Sequence, residues 1–156
     1  MVSLAILDDL LSAMPPVAAM QIRTSAFRAG CLHLRAPLSA NVNDKKCAFG
    51  GSQASIMTLA AWGWLMLKLR ESGTSAEVYV ADSQIRYLAP LYDDLHGEAH
   101  LAEDQDWDAI LRLLGTRRRA RAMMLAQMRN ARGETVATLH ARFALLAPAH
   151  DPDGKA

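Results

Sequence analysis

The residues best placed to do chemistry stand at one junction, Asn41-Val42-Asn43-Asp44-Lys45-Lys46-Cys47-Ala48-Phe49-Gly50-Gly51-Ser52. A polar run with two amides and three charges ends in paired glycines, and a long apolar segment follows. A helix starting at Gly50 would present unpaired backbone N–H groups and the positive end of its dipole here. Glycine lets a ligand oxygen approach that backbone closely. The arrangement suits a bound carbonyl or a developing oxyanion, which needs donors fixed in place before the charge appears. The same residues also read as a tight turn and a helix cap, and the junction alone does not choose between the two.

Other candidates are weaker. Asp82 alternates with Val78 and Val80, so it reads as a buried acid paired with Arg86 or as a functional one. Arg117-Arg118-Arg119-Ala120-Arg121 reads as a solvated strand start or as a docking patch for phosphates or an acidic partner, because arginine forks match phosphate geometry. Nucleic acid would demand wider basic coverage and stacking aromatics. His33, His96, His100, His140 and His150 show no ligand spacing, and Cys31 and Cys47 form no Cys-x-x-Cys pair, so no metal site is predicted. Cys47 has no neighbour that would activate a thiolate and takes no catalytic role.

These side chains need a frame. Leu4 to Met14 carries a helical apolar stripe that Pro15-Pro16 should end. Met20 to Ala26 and Cys31 to Leu38 alternate as two strands joined at Arg28-Ala29-Gly30. Ser39 to Phe49 is a loop. Gly50 to Glu71 is the strongest helix, apolar on nearly every side around Met57, Trp62, Trp64 and Met66, and a helix of that kind is buried. Glu77 to Leu88, Leu95 to Leu101, Arg117 to Asn130 and Thr135 to Leu146 read as strands, with a short helix over Asp106 to Leu114. Six strands with hairpin-like links imply an α+β chain in which a curved, mostly antiparallel sheet wraps one long buried helix, the hotdog architecture. Its edge strand calls for a second copy, as a homodimer or a dimer of dimers.

Composition sets the limits. At 156 residues the chain forms one domain, read as 1–147, with a polar tail over 148–156. A hydrophobic fraction of 51% excludes disorder, and a net charge of +1 removes any global pull towards nucleic acid or anionic membrane. Ile56 to Leu67 is too short to span a membrane. Asp8 and Asp9 stand where a signal peptide needs a basic flank, and the cysteines form no disulfide framework, so the sequence predicts a reduced, cytoplasmic setting.

Three ordered blocks carry a resemblance: Asn41-x-Asn43-Asp44-Lys45 with Ala48-Phe49-Gly50-Gly51-Ser52, then Ala61-Trp62-Gly63-Trp64, then Ala81-Asp82-Ser83-x-Ile85-Arg86-Tyr87-Leu88-x-Pro90. From about Pro16 to Leu146 the chain resembles the YiiD C-terminal-type thioesterases of the hotdog superfamily. The resemblance implies action on acyl thioesters of coenzyme A or acyl carrier protein. The thiol carrier would then be part of the substrate, with no separate cofactor. It further implies that Asn43 holds the thioester carbonyl or an acyl carboxylate and that the Gly51 N–H, aided by Gly50, forms an oxyanion hole. Asn41, Phe49, Ser52 and Ser55 would line the substrate, while Arg118 and Arg119 would meet its phosphates or an acidic carrier.

Two departures from the family pattern matter. Phe49 stands where relatives often carry His, and Thr58 where many carry the Asp or Glu that activates water. Hydrolysis gains typically 10²–10⁴-fold from a base, which Thr58 cannot supply unaided. Asp82 or Asp44 would have to serve, or Ser52 and Ser55 would position a water. Decarboxylation of a malonyl thioester asks only for donors to its enolate oxygen and needs no base. The sequence therefore predicts a thioesterase, with malonyl-thioester decarboxylase as the alternative and a non-catalytic acyl-thioester binder as the second.

Overall fold

A computed structural model of the chain describes residues 3–149. Helix α1 (Leu4–Ala13) begins at Ser3, whose hydroxyl accepts the Ala5 N–H at 3.2 Å. Pro15-Pro16 ends α1 as predicted but also opens a second helix, α2 (Pro15–Met20). Proline costs little in a first turn, where the missing N–H has no partner to lose. The strand predicted from Met20 therefore starts later: Gln21 adopts a left-handed φ of 56° to close α2, and β1 runs Arg23–Arg28. Ala29 and Gly30, both at positive φ, turn it into β2 (Cys31–Ala36), as a tight hairpin requires.

A single 3-10 turn over Leu38–Ala40 and a loop lead to α3 (Gly50–Glu71). Then come β3 (Glu77–Tyr87), β4 (Leu95–Leu101), α4 (Trp107–Arg117), β5 (Arg119–Arg129) and β6 (Thr135–Leu146). Helix α4, capped by Asp106 on the Asp108 N–H at 3.0 Å, runs through Arg117, so β5 begins two residues later than its basic run predicts. The six strands form one sheet in the order β1-β2-β4-β5-β6-β3, antiparallel at every pairing. This is the expected hotdog fold. No helix among the described residues is long and apolar enough to cross a membrane.

The sheet closes on α3. Ile56, Met57, Ala60, Ala61 and Leu65 are fully buried, as are Leu32, Leu34, Ala99, Met124 and Leu139 of the strands. Gly63 permits the closest approach: a Cβ there would fall 2.8 Å from Leu32 Cδ2 and 2.9 Å from Leu7 Cδ2, so only glycine lets α1 and β2 meet on α3. Trp64 is core, with its indole N–H on the Gly30 carbonyl at 2.8 Å and its ring edge-on to Trp107. Burial is less complete than the apolar run implies, since Trp62, Met66 and the Thr58-Leu59 pair are only half-buried.

Strand β3 is an edge and holds the main surprise. Val78 and Val80 pair with the core residues Leu145 and Phe143, and a bulge at Ala81 then shifts the register so that Asp82 pairs with Arg142. One extra residue reverses the alternation. Asp82 therefore faces away from the valines, on the outer side of the sheet.

Candidate functional site

The loop before α3 is built by its own amides. Asn41 is 3% exposed, and its Nδ2 donates to the carbonyls of Met20 (2.9 Å) and Pro37 (2.8 Å), tying the loop to α2 and the 3-10 turn. The Asn43 Oδ1 accepts the N–H groups of Lys45 (2.8 Å) and Cys47 (3.2 Å), and its Nδ2 lies 3.3 Å from Cys47 Sγ. Asn43 thus pins a tight loop in which Lys46 takes a φ of 65°, leaving one amide proton for a ligand. Asp44 and Lys45 pair with each other in solvent.

Helix α3 starts without a side-chain cap, because its N-cap is Phe49. Among the described residues the N–H groups of Gly50, Gly51 and Ser52 have no partner, whereas that of Gln53 returns to the Phe49 carbonyl at 3.1 Å. The two glycines differ in surroundings. A Cβ on Gly50 would touch the Tyr87 ring at an ordinary 3.5 Å, but one on Gly51 would fall 2.5 Å from Phe49 Cε1. The Phe49 ring, 55% exposed, lies across Gly51 as a movable cover.

From the second turn of α3 onward a groove of about 380 Å3 runs between α2, α3 and β3, lined by Val17, Met20, Ser55, Thr58, Leu59, Ser83 and Ile85 together with Pro16 and Ala54, while Asn43, Phe49, Gly50 and Gly51 stand outside its lining. Ser55 donates to the Gly51 carbonyl and Thr58 to that of Ala54, both at 2.8 Å, so each hydroxyl proton is already committed to the backbone. The oxygens remain acceptors. Among the described residues no carboxylate or imidazole lines the groove.

The remaining predicted residues lie elsewhere. Ser52 is buried next to Gln53, whose Nε2 donates to the Ala48 carbonyl at 3.2 Å. Asp82 is paired with Arg142 rather than Arg86, outside the groove. Arg118 caps α4 in a left-handed conformation and donates to the Pro148 carbonyl. Arg119 sits in register with Leu146, which pairs with Glu77. That end of β3 is roughly 30 Å from Tyr87 at about 3.3 Å per residue. The sequence does not mark Ser83, Ile85, Gln53 or Tyr87 as site residues. Ser83, Ile85 and Tyr87 belong to the third block of the resemblance, whereas Gln53 carried no sequence signal beyond following Ser52.

Four histidines that look scattered in the chain gather on the outer sheet face, and His150 lies outside the described residues. His33 is buried, with Nδ1 3.2 Å from His96 Nε2 and 3.3 Å from Glu98 Oε2. Burial pushes His33 below the usual histidine value, with Arg28 acting the same way and Glu98 opposing. Burial pushes Glu98 up, but hydrogen bonds from Arg129 and Gln127 and the Arg129 charge outweigh it and hold the carboxyl below its usual range. Burial and Glu98 together push the nearby Cys31 thiol up, away from a reactive thiolate. Among the described residues no cluster of three such groups could hold a metal.

A curved antiparallel sheet around one long helix, with that helix starting uncapped near an open groove, defines a hotdog protein. The family described as "Putative thioesterase (yiiD_Cterm)" matches residues 4–147, and the chain belongs to it. It is similar to a protein of unknown function from Chlorobaculum tepidum (24% identity, 92% of this chain and 94% of that one, TM-score 0.86). It is also similar to a putative thioesterase from Shewanella oneidensis (26% identity, 93% and 97% covered, TM-score 0.78). A probable thioesterase from Pseudomonas aeruginosa shares the fold at 21% identity (94% and 97% covered, TM-score 0.78).

Proposed function

We propose that the protein is an acyl-thioester hydrolase acting on coenzyme A or carrier-protein thioesters. The observation that carries this reading is the uncapped start of α3, where the Gly50, Gly51 and Ser52 N–H groups are free near the groove. A thioester carbonyl seated there gains preorganised donors as its oxygen becomes negative, the charge that hydrolysis must stabilise. The acyl chain follows the apolar wall of Val17, Met20, Leu59 and Ile85. The spare Asn43 amide proton orients the incoming group, Ser55, Thr58 and Ser83 oxygens hold the attacking water by accepting its hydrogen bonds, and the proton that water sheds passes through solvent to the departing thiolate.

The reading includes a homodimer. Tyr79 and Val80 are about half exposed on an edge strand that is paired only through β6 among the described residues. Antiparallel pairing of two β3 edges would cover them. It would also bring the start of one strand beside the end of the other.

A groove lined, among the described residues, by hydroxyls and apolar side chains and no carboxylate favours one second reading, decarboxylation of a malonyl thioester, whose enolate needs the same donors and no base. Incubation with a panel of acyl-CoAs, malonyl-CoA and malonyl carrier protein separates the two. Free thiol without acetyl thioester supports the hydrolase. Acetyl thioester without thiol supports the decarboxylase. Neither product, with acyl-CoA still bound, leaves a binding domain.

A further inference from the structure

Polar side chains on the outer face of the sheet fall into two groups. Glu98, Gln127, Arg129 and Thr135 bond one another, and Asp82 pairs with Arg142. Gln84, Arg86, Thr138 and His140, by contrast, have no hydrogen-bond or ion-pair partner among the described residues, although they stand together. Gln84 is directly opposite His140 and Arg86 directly opposite Thr138 in the β3–β6 register. Opposed pairs bring their Cβ atoms to about 4.5–5.5 Å. With Leu88 these four line a depression of about 400 Å3.

The depression is rich in donors and carries a guanidinium, while the acids closest to it on this face, Asp82 and Glu98, are already engaged by Arg142 and Arg129. Guanidinium, amide and imidazole N–H groups converging without a competing carboxylate match a phosphate, which accepts several charge-assisted bonds at once. Position supplies the second argument. Arg86 and Tyr87 are consecutive and point to opposite faces of one strand. Tyr87 reaches through to the helix start, its Oη donating to the Gly50 carbonyl at 2.9 Å. The depression therefore backs directly onto the glycine turn, whereas Arg118 and Arg119 sit at the far end of the strand.

Resting on the thioester reading, we infer that Arg86, His140, Gln84 and Thr138 form the seat for a phosphate of the substrate's thiol carrier. Coenzyme A and a carrier protein both bring phosphate on a pantetheine arm, and the seat recognises that shared chemistry.

Calorimetric titration of the full chain and of Arg86→Gln with coenzyme A, 4′-phosphopantetheine and pantetheine tests this. Arg86→Gln should weaken coenzyme A at least tenfold, about 1.4 kcal/mol, while the two proteins bind pantetheine within twofold of each other. Parallel weakening of 4′-phosphopantetheine assigns the seat to the phosphate that carrier proteins share. Its absence assigns the seat to the nucleotide phosphates. Loss of all three ligands alike, or of none, overturns the seat. Pyrophosphate, followed by the His140 ring resonances in wild type and Arg86→Gln, separates the two claims. A pyrophosphate shift lost in the variant, in a protein that processes no thioester, keeps the anion seat and rejects the thioester reading. Thioester turnover with unchanged coenzyme A binding in Arg86→Gln keeps that reading and rejects the seat.

Discussion

Tyr87 Oη donates a 2.9 Å hydrogen bond to the carbonyl of Gly50, joining the end of the edge strand to the first residue of the central helix. The bond fixes where the free N–H groups of the helix start lie relative to β3, which supplies Ser83 and Ile85 to the groove. Tyr87 is 54% exposed, so the bond is worth about 0.5–1.5 kcal/mol. Tyr87→Phe should lower kcat/KM roughly threefold to tenfold while the thermal midpoint falls only a few degrees. Steady-state kinetics beside a melting curve checks both, and unchanged kcat/KM would show that the strand end does not position the helix start.

The edge of β3 makes a prediction about assembly. Val80→Lys places a charge on the half-exposed edge and should convert a dimer to a monomer by light scattering, with loss of turnover. A wild-type protein that is monomeric at micromolar concentration contradicts the interface.

Asp82 separates the sequence reading from the structure. As a general base its replacement would cost 10²–10⁴-fold. As an exposed partner of Arg142 it contributes at most about 1 kcal/mol of stability. Asp82→Asn should therefore keep kcat within about threefold, and a hundredfold loss would return the aspartate to the chemistry.

Stability should fall on acidification from neutral pH. His33 has a lowered value in the folded chain, so below the usual histidine value of 6.5 the unfolded chain takes up a proton that the fold resists, and stability drops as pH falls. Glu98 acts in the same direction lower down: its stabilisation is present above 4.5 and is lost as pH falls through its depressed folded value. His33→Gln should flatten the fall between pH 7 and 5 but not the steeper fall below pH 4.5, as urea unfolding at stepped pH would show.

Much of this molecule is legible in the residues. Strand alternation and the apolar run after Gly50 suffice for the sheet, the central helix and its glycine start, because each is a local period. What escaped was set by single-residue events. Pro15-Pro16 both ended and opened a helix, since proline is excluded from helix interiors but not from first turns. The bulge at Ala81 moved Asp82 to the outer face, and no local signal marks it, because the extra residue shows only against β6. The gathering of His33, His96, His100 and His140 on one face likewise depends on cross-strand register, which no window along the chain contains.

On the thioesterase reading the free N–H of Gly51 stabilises a thioester oxyanion. The kcat for thiol release by Gly51→Pro, set against Gly51→Ala, tests it most directly. Alanine keeps the N–H and only displaces the exposed Phe49 ring, while proline removes the N–H at a first-turn position where the helix tolerates it. Both variants must first show wild-type circular dichroism. Alanine should stay within about tenfold of wild type and proline should lose 10²–10³-fold, the usual cost of one oxyanion donor. Equal turnover by the two variants would show that the Gly51 N–H is not the oxyanion donor.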